Sequence, residues 1–239
     1  MSDLGADRNA TYATTYSPSF LTLFYDKYVL GFNMRYIWGC STDILLPFFC
    51  ENFSRNHLDC GVATGYFPAV ALARPFRTNS KQRLTLLDLN PNPLNAAKAR
   101  VLSVTTETEV RCVEADVTEP PPKELRGERF DSISMFNLFH CMPGGKGKFR
   151  ALGFYKDLLS EDGVLSGCTV LGPRKSTSWI TAFQLRWYNK WWGVFNNWED
   201  KEEDLQEALE QEFEEVETWV IGNTMLFRAK KPRKALLDV

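Results

Sequence analysis

The segment at residues 57–67, His-Leu-Asp-Cys-Gly-Val-Ala-Thr-Gly-Tyr-Phe, constrains the fold more than any other part of the chain. Its apolar start ends in a carboxylate, Asp59, and two glycines follow at Gly61 and Gly65. Glycine allows the backbone to turn tightly and to approach a ligand closely. Pro68 falls in the first turn of a helix-compatible segment, where its missing N–H costs no hydrogen bond. The segment is therefore predicted to form a strand, a glycine-containing turn and a helix.

This turn does not match the pattern of a dinucleotide site. A pyrophosphate-binding turn requires Gly-x-Gly-x-x-Gly, with the phosphates at the N-terminus of the helix. Counted from Gly61, the second and third positions fall on Ala63 and Tyr66. A nicotinamide-dependent oxidoreductase is therefore disfavoured.

Strands and helices alternate along the chain after this turn. Strands are predicted at residues 84–87, 110–113, 130–136 and 164–171, and helices at residues 91–104 and 146–159. Such alternation indicates a parallel sheet with helices on both faces. Two last strands, at residues 216–221 and 224–229, flank Gly222-Asn223, a dipeptide that favours a hairpin.

Polar residues follow the ends of the predicted strands. They are Asp59, Asp88, Asp116 and residues 137–140. Ligands of open α/β sheets bind beyond the carboxyl ends of the strands, so these residues are expected to share one site. Asp88 lies about 20 residues past the glycine turn, where a strand-end carboxylate binds a ribose. Asp116 is a candidate acceptor for an adenine amino group.

Size and charge exclude several classes of protein. The chain has 239 residues, 44% of them hydrophobic, which suits one α/β domain with a sizeable core. A net charge of -2 offers no basic surface for nucleic acid. No apolar run approaches the roughly 20 residues of a membrane span, and no secretory leader opens the chain. We therefore expect a cytoplasmic protein with no membrane partner. The six cysteines lack metal-ligand spacing, so no metal site is predicted.

The chain divides into three parts. Residues 1–53 are predicted to form a polar tail and a helical cap, with helices at residues 20–39 and 43–53. Residues 54–230 form the α/β domain, and residues 231–239 form a second tail. Within the domain, residues 173–200 form a tryptophan-rich insertion that is expected to act as a lid.

With these residues in view, the chain resembles the class I methyltransferases that depend on S-adenosylmethionine. Their loop has the pattern acidic-x-Gly-x-Gly-x-Gly, which Asp59, Gly61 and Gly65 match, whereas Ala63 replaces the middle glycine. More narrowly, the chain resembles small bacterial and fungal methyltransferases of specialised metabolism. Three segments carry this second resemblance: residues 25–38, 57–67 and 136–144.

The resemblance implies a Rossmann-like sheet of seven mostly parallel strands that ends in an antiparallel hairpin. It implies S-adenosylmethionine as cofactor, S-adenosylhomocysteine as its product and a small molecule as methyl acceptor. The residues then expected to bind the cofactor are Tyr25, Arg35, Trp38, Asp59, Gly61, Gly65, Asp88, Leu89, Asp116, Val117, Asn137 and Leu138.

His140 is the candidate general base, because the ordinary pKa of histidine, about 6.5, suits removal of a proton from a hydroxyl near neutral pH. Such a base favours oxygen as the methyl acceptor. His57, the other histidine, is expected to be structural. The substrate pocket is predicted to contain aromatic side chains that exclude water, namely Tyr16, Trp179, Phe183, Trp187 and Trp191.

Several alternatives stay open at the level of sequence. A relative of the same fold can bind the cofactor and catalyse a cyclisation or rearrangement without methylation, and the acceptor atom can be nitrogen or carbon. Amino-directed nucleic-acid methyltransferases carry Asn/Asp-Pro-Pro-aromatic after the fourth strand. This chain has Asn137-Leu138-Phe139 there, so that class is disfavoured. The oligomeric state is not predicted.

Overall fold

The computed structural model describes residues 17, 21–75, 77, 81–174 and 177–234. Seven strands form one sheet: β1 (Asn56–Cys60), β2 (Gln82–Asp88), β3 (Thr108–Glu114), β4 (Phe130–Phe136), β5 (Leu159–Val170), β6 (Phe213–Ile221) and β7 (Thr224–Pro232). Among the described residues, six segments are α-helices: α1 (Thr42–Glu51), α2 (Tyr66–Leu72), α3 (Pro91–Val104), α4 (Ala151–Lys156), α5 (Trp179–Arg186) and α6 (Glu202–Glu212).

The sheet has the strand order β3-β2-β1-β4-β5-β7-β6. Strands β1 to β5 pair in parallel, and β7 pairs antiparallel with both β5 and β6. The chain first winds outward from β1 to β3 and then returns to the other side of β1 at β4. This reversal opens a crevice beyond the carboxyl ends of β1 and β4, the usual ligand position in such sheets. The predicted fold is confirmed.

Two wide helical segments complete the fold. The N-terminal helix, Leu21–Ile37, has π-type turns, and at its end the Trp38 N–H donates to the Asn33 carbonyl. The second segment, Trp187–Trp192, continues α5, and we call residues 179–192 the lid helix. These two helices and α1 share one hydrophobic core with α2 and α3 on one face of the sheet, whereas α4 and α6 cover the other face.

The tip of the β6–β7 hairpin, Gly222-Asn223, contacts the end of the N-terminal helix. The Asn223 N–H donates to the Trp38 carbonyl at 2.6 Å, and the Thr177 hydroxyl donates to Asn223 Oδ1 at 2.9 Å. A Cβ atom at Gly222 would lie 2.2 Å from the Trp38 carbonyl oxygen, so only glycine fits this contact. The tip therefore contacts the end of the N-terminal helix and the start of the lid.

Element boundaries differ most from prediction around residue 150. The helix predicted at residues 146–159 begins as 3₁₀ turns at Gly145–Arg150 and ends at Lys156. Gly145 and Gly147 lower helix propensity at its start. Strand β5 begins five residues earlier than predicted, and a register shift between Phe130 and Ser132 accommodates this extension. Within the described residues, no helix is both long and apolar enough to cross a bilayer.

Candidate active site

Three cavities line the carboxyl edge of the sheet. The outer cleft has an empty volume of about 770 Å³, its open mouth included, and its walls include Gly61, Asp88, Leu89, Asp116, Val117 and Leu138. The inner cavity, about 530 Å³, is lined among others by Tyr25, Asn33, Trp38, His140, Tyr188 and Phe195. The glycine-turn cavity, about 330 Å³, is lined among others by Tyr25, Asp59, Gly61, Thr64, Phe136 and Asn137.

The cavities are neighbours, because they share wall residues. Gly61 lines both the outer cleft and the glycine-turn cavity. Tyr25 and Asn137 line both the glycine-turn cavity and the inner cavity. Val194, just after the lid helix, lines the outer cleft and the inner cavity. Each cavity therefore adjoins the other two through shared wall residues, and Asn137, directly after β4, has a left-handed φ of 54°.

The glycine turn is built by close packing. Gly61 and Gly65 both have positive φ, and a Cβ atom at Gly65 would lie 2.7 Å from Ala97 Cα on α3. A Cβ atom at Gly61 would lie 2.7 Å from the Leu138 side chain, so glycine leaves the backbone close to the cavity wall. Ala63 also adopts a positive φ of 45°, a conformation that is unfavourable for a residue with a Cβ atom.

Asp88 connects the glycine turn to the end of β2. Its Oδ2 accepts from the Val62 N–H at 3.1 Å, and its Oδ1 accepts from the Asn90 N–H at 3.0 Å. Asp88 also lines the outer cleft, and a carboxylate is a strong acceptor for ligand hydroxyls. Asp116 uses Oδ1 for the backbone and hydroxyl of Thr118, at 2.8 and 2.7 Å.

A buried chain of hydrogen bonds ends at Asp59. The Ser54 N–H donates to Ser132 Oγ at 2.9 Å, and Ser132 Oγ lies 2.6 Å from His57 Nδ1. His57 Nε2 lies 2.8 Å from Ser134 Oγ, which donates to the Asp59 carboxylate. Because the first donor is a backbone N–H and the last acceptor is a carboxylate, every hydroxyl and ring proton points toward Asp59.

The buried hydrogen-bond relay affects the pKa of Asp59. Burial raises the pKa of Asp59 to about 7, the Ser134 hydrogen bond opposes that rise, and nearby Asp88 adds to it. Burial lowers the pKa of His57 to about 3, so the ring is neutral. A neutral ring with one N–H suits the relay, because its other nitrogen accepts from Ser132. His57 thus supports a site residue.

His140 lies in the wall of the inner cavity and is 5% exposed. Its Nδ1 accepts from the Val170 N–H at 3.3 Å, with the Thr169 hydroxyl also at 3.3 Å. A nitrogen that accepts from a backbone N–H carries no hydrogen, so in the neutral ring the hydrogen is on Nε2. Burial, reinforced by the charge of Lys148, lowers the pKa of His140 to about 3.

Asn33 is a site residue that the sequence interpretation missed. Its Nδ2 donates to the Tyr188 hydroxyl at 2.8 Å, whereas its buried Oδ1 has no partner among the described residues. A buried acceptor without a protein partner is costly, so Asn33 Oδ1 is available to a hydrogen-bond donor in the inner cavity. A polar residue one helical turn after Val29, on an otherwise apolar inner stripe, was the sequence signal.

The remaining predicted residues divide between the cavity walls and the surface. Tyr25 and Trp38 are buried in the inner cavity wall, and Leu89, Val117 and Leu138 line the outer cleft. Gly65 lines none of the three cavities and serves helix packing. Arg35 is exposed and pairs with Asp43 at 3.4 Å, away from all three.

The predicted aromatic pocket lies on the wrong face of the lid. Trp179, Phe183, Trp187 and Trp191 are 45% to 80% exposed and line none of the three cavities. The inner face of the lid helix instead carries Thr181, Leu185, Tyr188 and Trp192. Tyr188 stacks on Trp192 and on Phe195, so these rings replace the predicted ones in the cavity wall. Tyr16 lies outside the described residues.

A second network that the sequence interpretation missed joins the N-terminal helix to the glycine turn. The Thr64 hydroxyl donates to Asp26 Oδ1 at 2.8 Å, and Arg100 donates to Thr64 Oγ1 at 2.9 Å and also to Asp26. Arg100 comes from α3, so the network joins three elements that are distant in sequence. Its role is to fix the wall of the glycine-turn cavity.

Comparison with known proteins decides the family. The family model described as "Methyltransferase domain" matches residues 58–166. The O-methyltransferase NEC2 of Pyricularia oryzae is 52% identical over 256 residues, covering 97% of this chain and 96% of the relative. The chain belongs to the class I methyltransferases that use S-adenosylmethionine. A second relative of this methyltransferase, the physcion biosynthesis cluster O-methyltransferase of Aspergillus chevalieri, is 40% identical over 220 residues, covering 91% of this chain and 94% of the relative.

Solved structures show the same fold at low identity. An O-methyltransferase family protein from Burkholderia thailandensis has a TM-score of 0.60 at 15% identity, covering 81% of this methyltransferase and 57% of that chain. The N-methyltransferase NodS from Bradyrhizobium japonicum, in complex with S-adenosylhomocysteine, has a TM-score of 0.54 at 16% identity, covering 79% and 85%. These structural similarities support the methyltransferase fold, and the relatives found by sequence support the methyltransferase activity.

Proposed function

We propose that this methyltransferase transfers a methyl group from S-adenosylmethionine to an oxygen atom of a small, largely apolar acceptor bound in the inner cavity. The observation that carries the proposal is that three cavities adjoin one another at the carboxyl edge of the sheet through shared wall residues. One is lined by strand-end carboxylates, one by the glycine turn, and one by aromatic rings and neutral polar groups. A donor and an acceptor held in adjoining cavities react as an effectively unimolecular pair.

The residues present fit the cofactor. Asp88 would accept hydrogen bonds from the ribose hydroxyls, and Asp116 with Val117 would hold the adenine in the outer cleft. Asp59 and the glycine turn would hold the charged methionine end, with Tyr25 and Asn137 at the border to the inner cavity. When bound, the cofactor supplies an electrophilic methyl group on a sulfonium. Arg35 and Gly65 are not included in this proposed contact set.

The inner cavity provides neutral hydrogen-bonding groups for the acceptor. His140 offers an Nε2–H donor, and Asn33 Oδ1 offers an unused acceptor. Among its described wall residues there is no carboxylate, lysine or arginine. We therefore assign His140 the role of a hydrogen-bond donor that orients the acceptor oxygen, in place of the general base predicted from sequence.

Formation of S-adenosylhomocysteine with candidate acceptors tests the function directly. Phenols, enols and carboxylic acids are compared with amines, and the methylated atom is identified by NMR of the product. Conversion of an acceptor without formation of S-adenosylhomocysteine, for example to a cyclised product of unchanged methyl content, would support the non-methylating alternative. Methylation at nitrogen or carbon would correct the acceptor atom while retaining the cofactor assignment.

Asn33→Leu separates acceptor binding from cofactor binding. This variant removes the unused Oδ1 acceptor and is expected to weaken acceptor binding about tenfold, by the net value of one buried hydrogen bond. Calorimetric affinity for S-adenosylhomocysteine is expected to stay at the wild-type value. Equal losses for both ligands would place Asn33 outside the acceptor site.

A further inference from the structure

The aromatic residues that do not enter the inner cavity form two regular stripes. On the N-terminal helix and on the lid helix, every fourth residue is an exposed aromatic ring: Phe24, Tyr28, Phe32 and Tyr36, and Trp179, Phe183, Trp187 and Trp191. Some neighbouring rings contact one another, with centroids 6.2 Å apart for Tyr28–Phe32, 5.3 Å apart for Phe32–Tyr36 and 5.4 Å apart for Trp187–Trp191. We call these eight residues the aromatic face.

The two helices that carry the aromatic face are packed side by side. The Thr181 hydroxyl donates to the Ile37 carbonyl at 2.7 Å, and Asn33 donates to the Tyr188 hydroxyl at 2.8 Å. Because residue numbers rise along one helix as they fall along the other, the helices are antiparallel. Their inner residues line the inner cavity, so the aromatic face covers the outside of the acceptor site. Trp179, the most exposed of its rings, is 80% exposed.

The charged residues of these two helices that form no ion pair with a described residue are all positive. Lys27, Arg186 and Lys190 are exposed, and none forms an ion pair with a described carboxylate. Residues 177–192 contain no Asp or Glu, and Asp26 on the N-terminal helix is paired with Arg100. The face is therefore locally basic on a chain of net charge -2. Large exposed apolar surfaces with a polar rim mark sites of association.

We propose that the aromatic face associates with the surface of a bilayer that contains anionic lipid. Trp, Tyr and Phe together with Lys and Arg are the residues that place an amphipathic helix in the headgroup region. A second copy of this chain is a poorer occupant, because a symmetric contact would bring the three unpaired cations of one copy against the same three of the other. The proposal is independent of methyl transfer.

The proposal also gives the inner cavity a source of apolar ligand. The cavity lies beneath the same two helices, and an apolar acceptor is more concentrated in a bilayer than in water. Surface association of this kind requires no spanning segment, because only the rings enter the headgroup region. It revises the expectation of no membrane partner.

Sedimentation of the full-length protein with vesicles tests the proposal. We expect cosedimentation with vesicles of phosphatidylcholine and phosphatidylserine, weaker binding to phosphatidylcholine alone, and loss of binding at high salt because the charges are screened. Trp187→Ser with Trp191→Ser is expected to lower the partition coefficient about tenfold for each ring removed. Arg186→Gln and Lys190→Gln are expected to lower it about fivefold each.

Matched variants and a spectroscopic readout make the result decisive. Trp219→Ser removes an exposed tryptophan from β6, and Lys98→Gln removes an exposed cation from α3, so both are expected to bind like wild type. Quenching of wild-type tryptophan emission by brominated lipid tests the contact even where a variant fails to fold. No cosedimentation of wild type with anionic vesicles overturns the proposal. So does a concentration-dependent dimer that the double tryptophan variant abolishes while vesicle binding is absent.

Discussion

The assigned role of His140 makes a prediction that separates hydrogen-bond donation from proton abstraction. In His140→Gln, a side-chain amide replaces the imidazole. Its oxygen can accept the Val170 N–H that now lies 3.3 Å from Nδ1, and its N–H₂ can donate as Nε2–H does. The amide cannot remove a proton at any working pH. His140→Ala removes both functions.

The magnitudes differ enough to be measured. A hydrogen bond to a charged oxygen contributes about 1.5–3 kcal/mol, so His140→Ala is expected to lower kcat/KM by roughly 10- to 150-fold. His140→Gln keeps a donor and is expected to stay within about tenfold of wild type. Loss of a general base would instead lower the rate by about 10²–10⁴ in both variants.

The pH–rate profile gives an independent readout. Because burial and Lys148 lower the pKa of His140 to about 3, the ring stays neutral from about pH 5 upward. At saturating S-adenosylmethionine, we expect kcat/KM for the acceptor to rise with pH through the ionisation of the acceptor, and this rise to shift when a more acidic acceptor is used. An inflection near 6.5 that persists across acceptors and disappears in His140→Gln would refute the donor role, and so would equal, hundredfold losses in both variants.

Three further predictions concern the cofactor site and the fold. Asp59, with a pKa raised to about 7, gains charge as pH rises, so affinity for S-adenosylmethionine is expected to fall about tenfold from pH 8 to pH 6 by calorimetry. Ala63→Gly relieves the positive φ of 45° and is expected to raise the free energy of unfolding by about 1 kcal/mol in urea. Lys148→Met leaves Asp200 buried without its partner at 2.5 Å and is expected to cost about 3–5 kcal/mol by the same measurement.

Each of these predictions has a matched control. Asp59→Asn keeps the shape of the side chain and is expected to give weak, pH-independent cofactor binding, whereas an unchanged pH dependence would show that another group titrates. Ala73→Gly, at a residue with φ of -69°, is expected to destabilise. Lys231→Met removes an exposed partner of the exposed Glu215 and is expected to cost far less than Lys148→Met. A similar cost for the two lysine variants would contradict the argument from burial.

Local patterns in the sequence were sufficient for the sheet and for the strand-end residues. Asp88 and Asp116 follow apolar runs, and their positions at one edge of a parallel sheet follow from the alternation of strands and helices. The glycine turn was equally readable, because Gly61 and Gly65 stand at fixed distances from Asp59. These features depend on residues that are close together in the sequence, so local sequence patterns predict them.

Features that depend on distant partners were not readable. The tautomer of His140 is set by the backbone of Val170 on β5, and the relay to Asp59 requires His57 and Ser134 on adjacent strands in register. The direction of Trp187 was predicted wrongly, because tryptophan composition does not show which face of the lid packs inward. The surface ion pair of Arg35 with Asp43 was likewise not readable, because the two residues lie on either side of a turn.

The contact between the hairpin tip and the two covering helices limits how acceptor specificity can be exchanged between relatives. Asn223 is hydrogen-bonded both to Trp38, at the end of the N-terminal helix, and to Thr177, just before the lid helix. A chimera that imports only the lid from another enzyme would keep its own hairpin tip. That tip would not match the imported lid, so the lid and the N-terminal helix would both be misaligned. Exchange of acceptor specificity between relatives is therefore expected to require joint replacement of three segments that are distant in sequence, residues 21–40, 177–198 and 222–223.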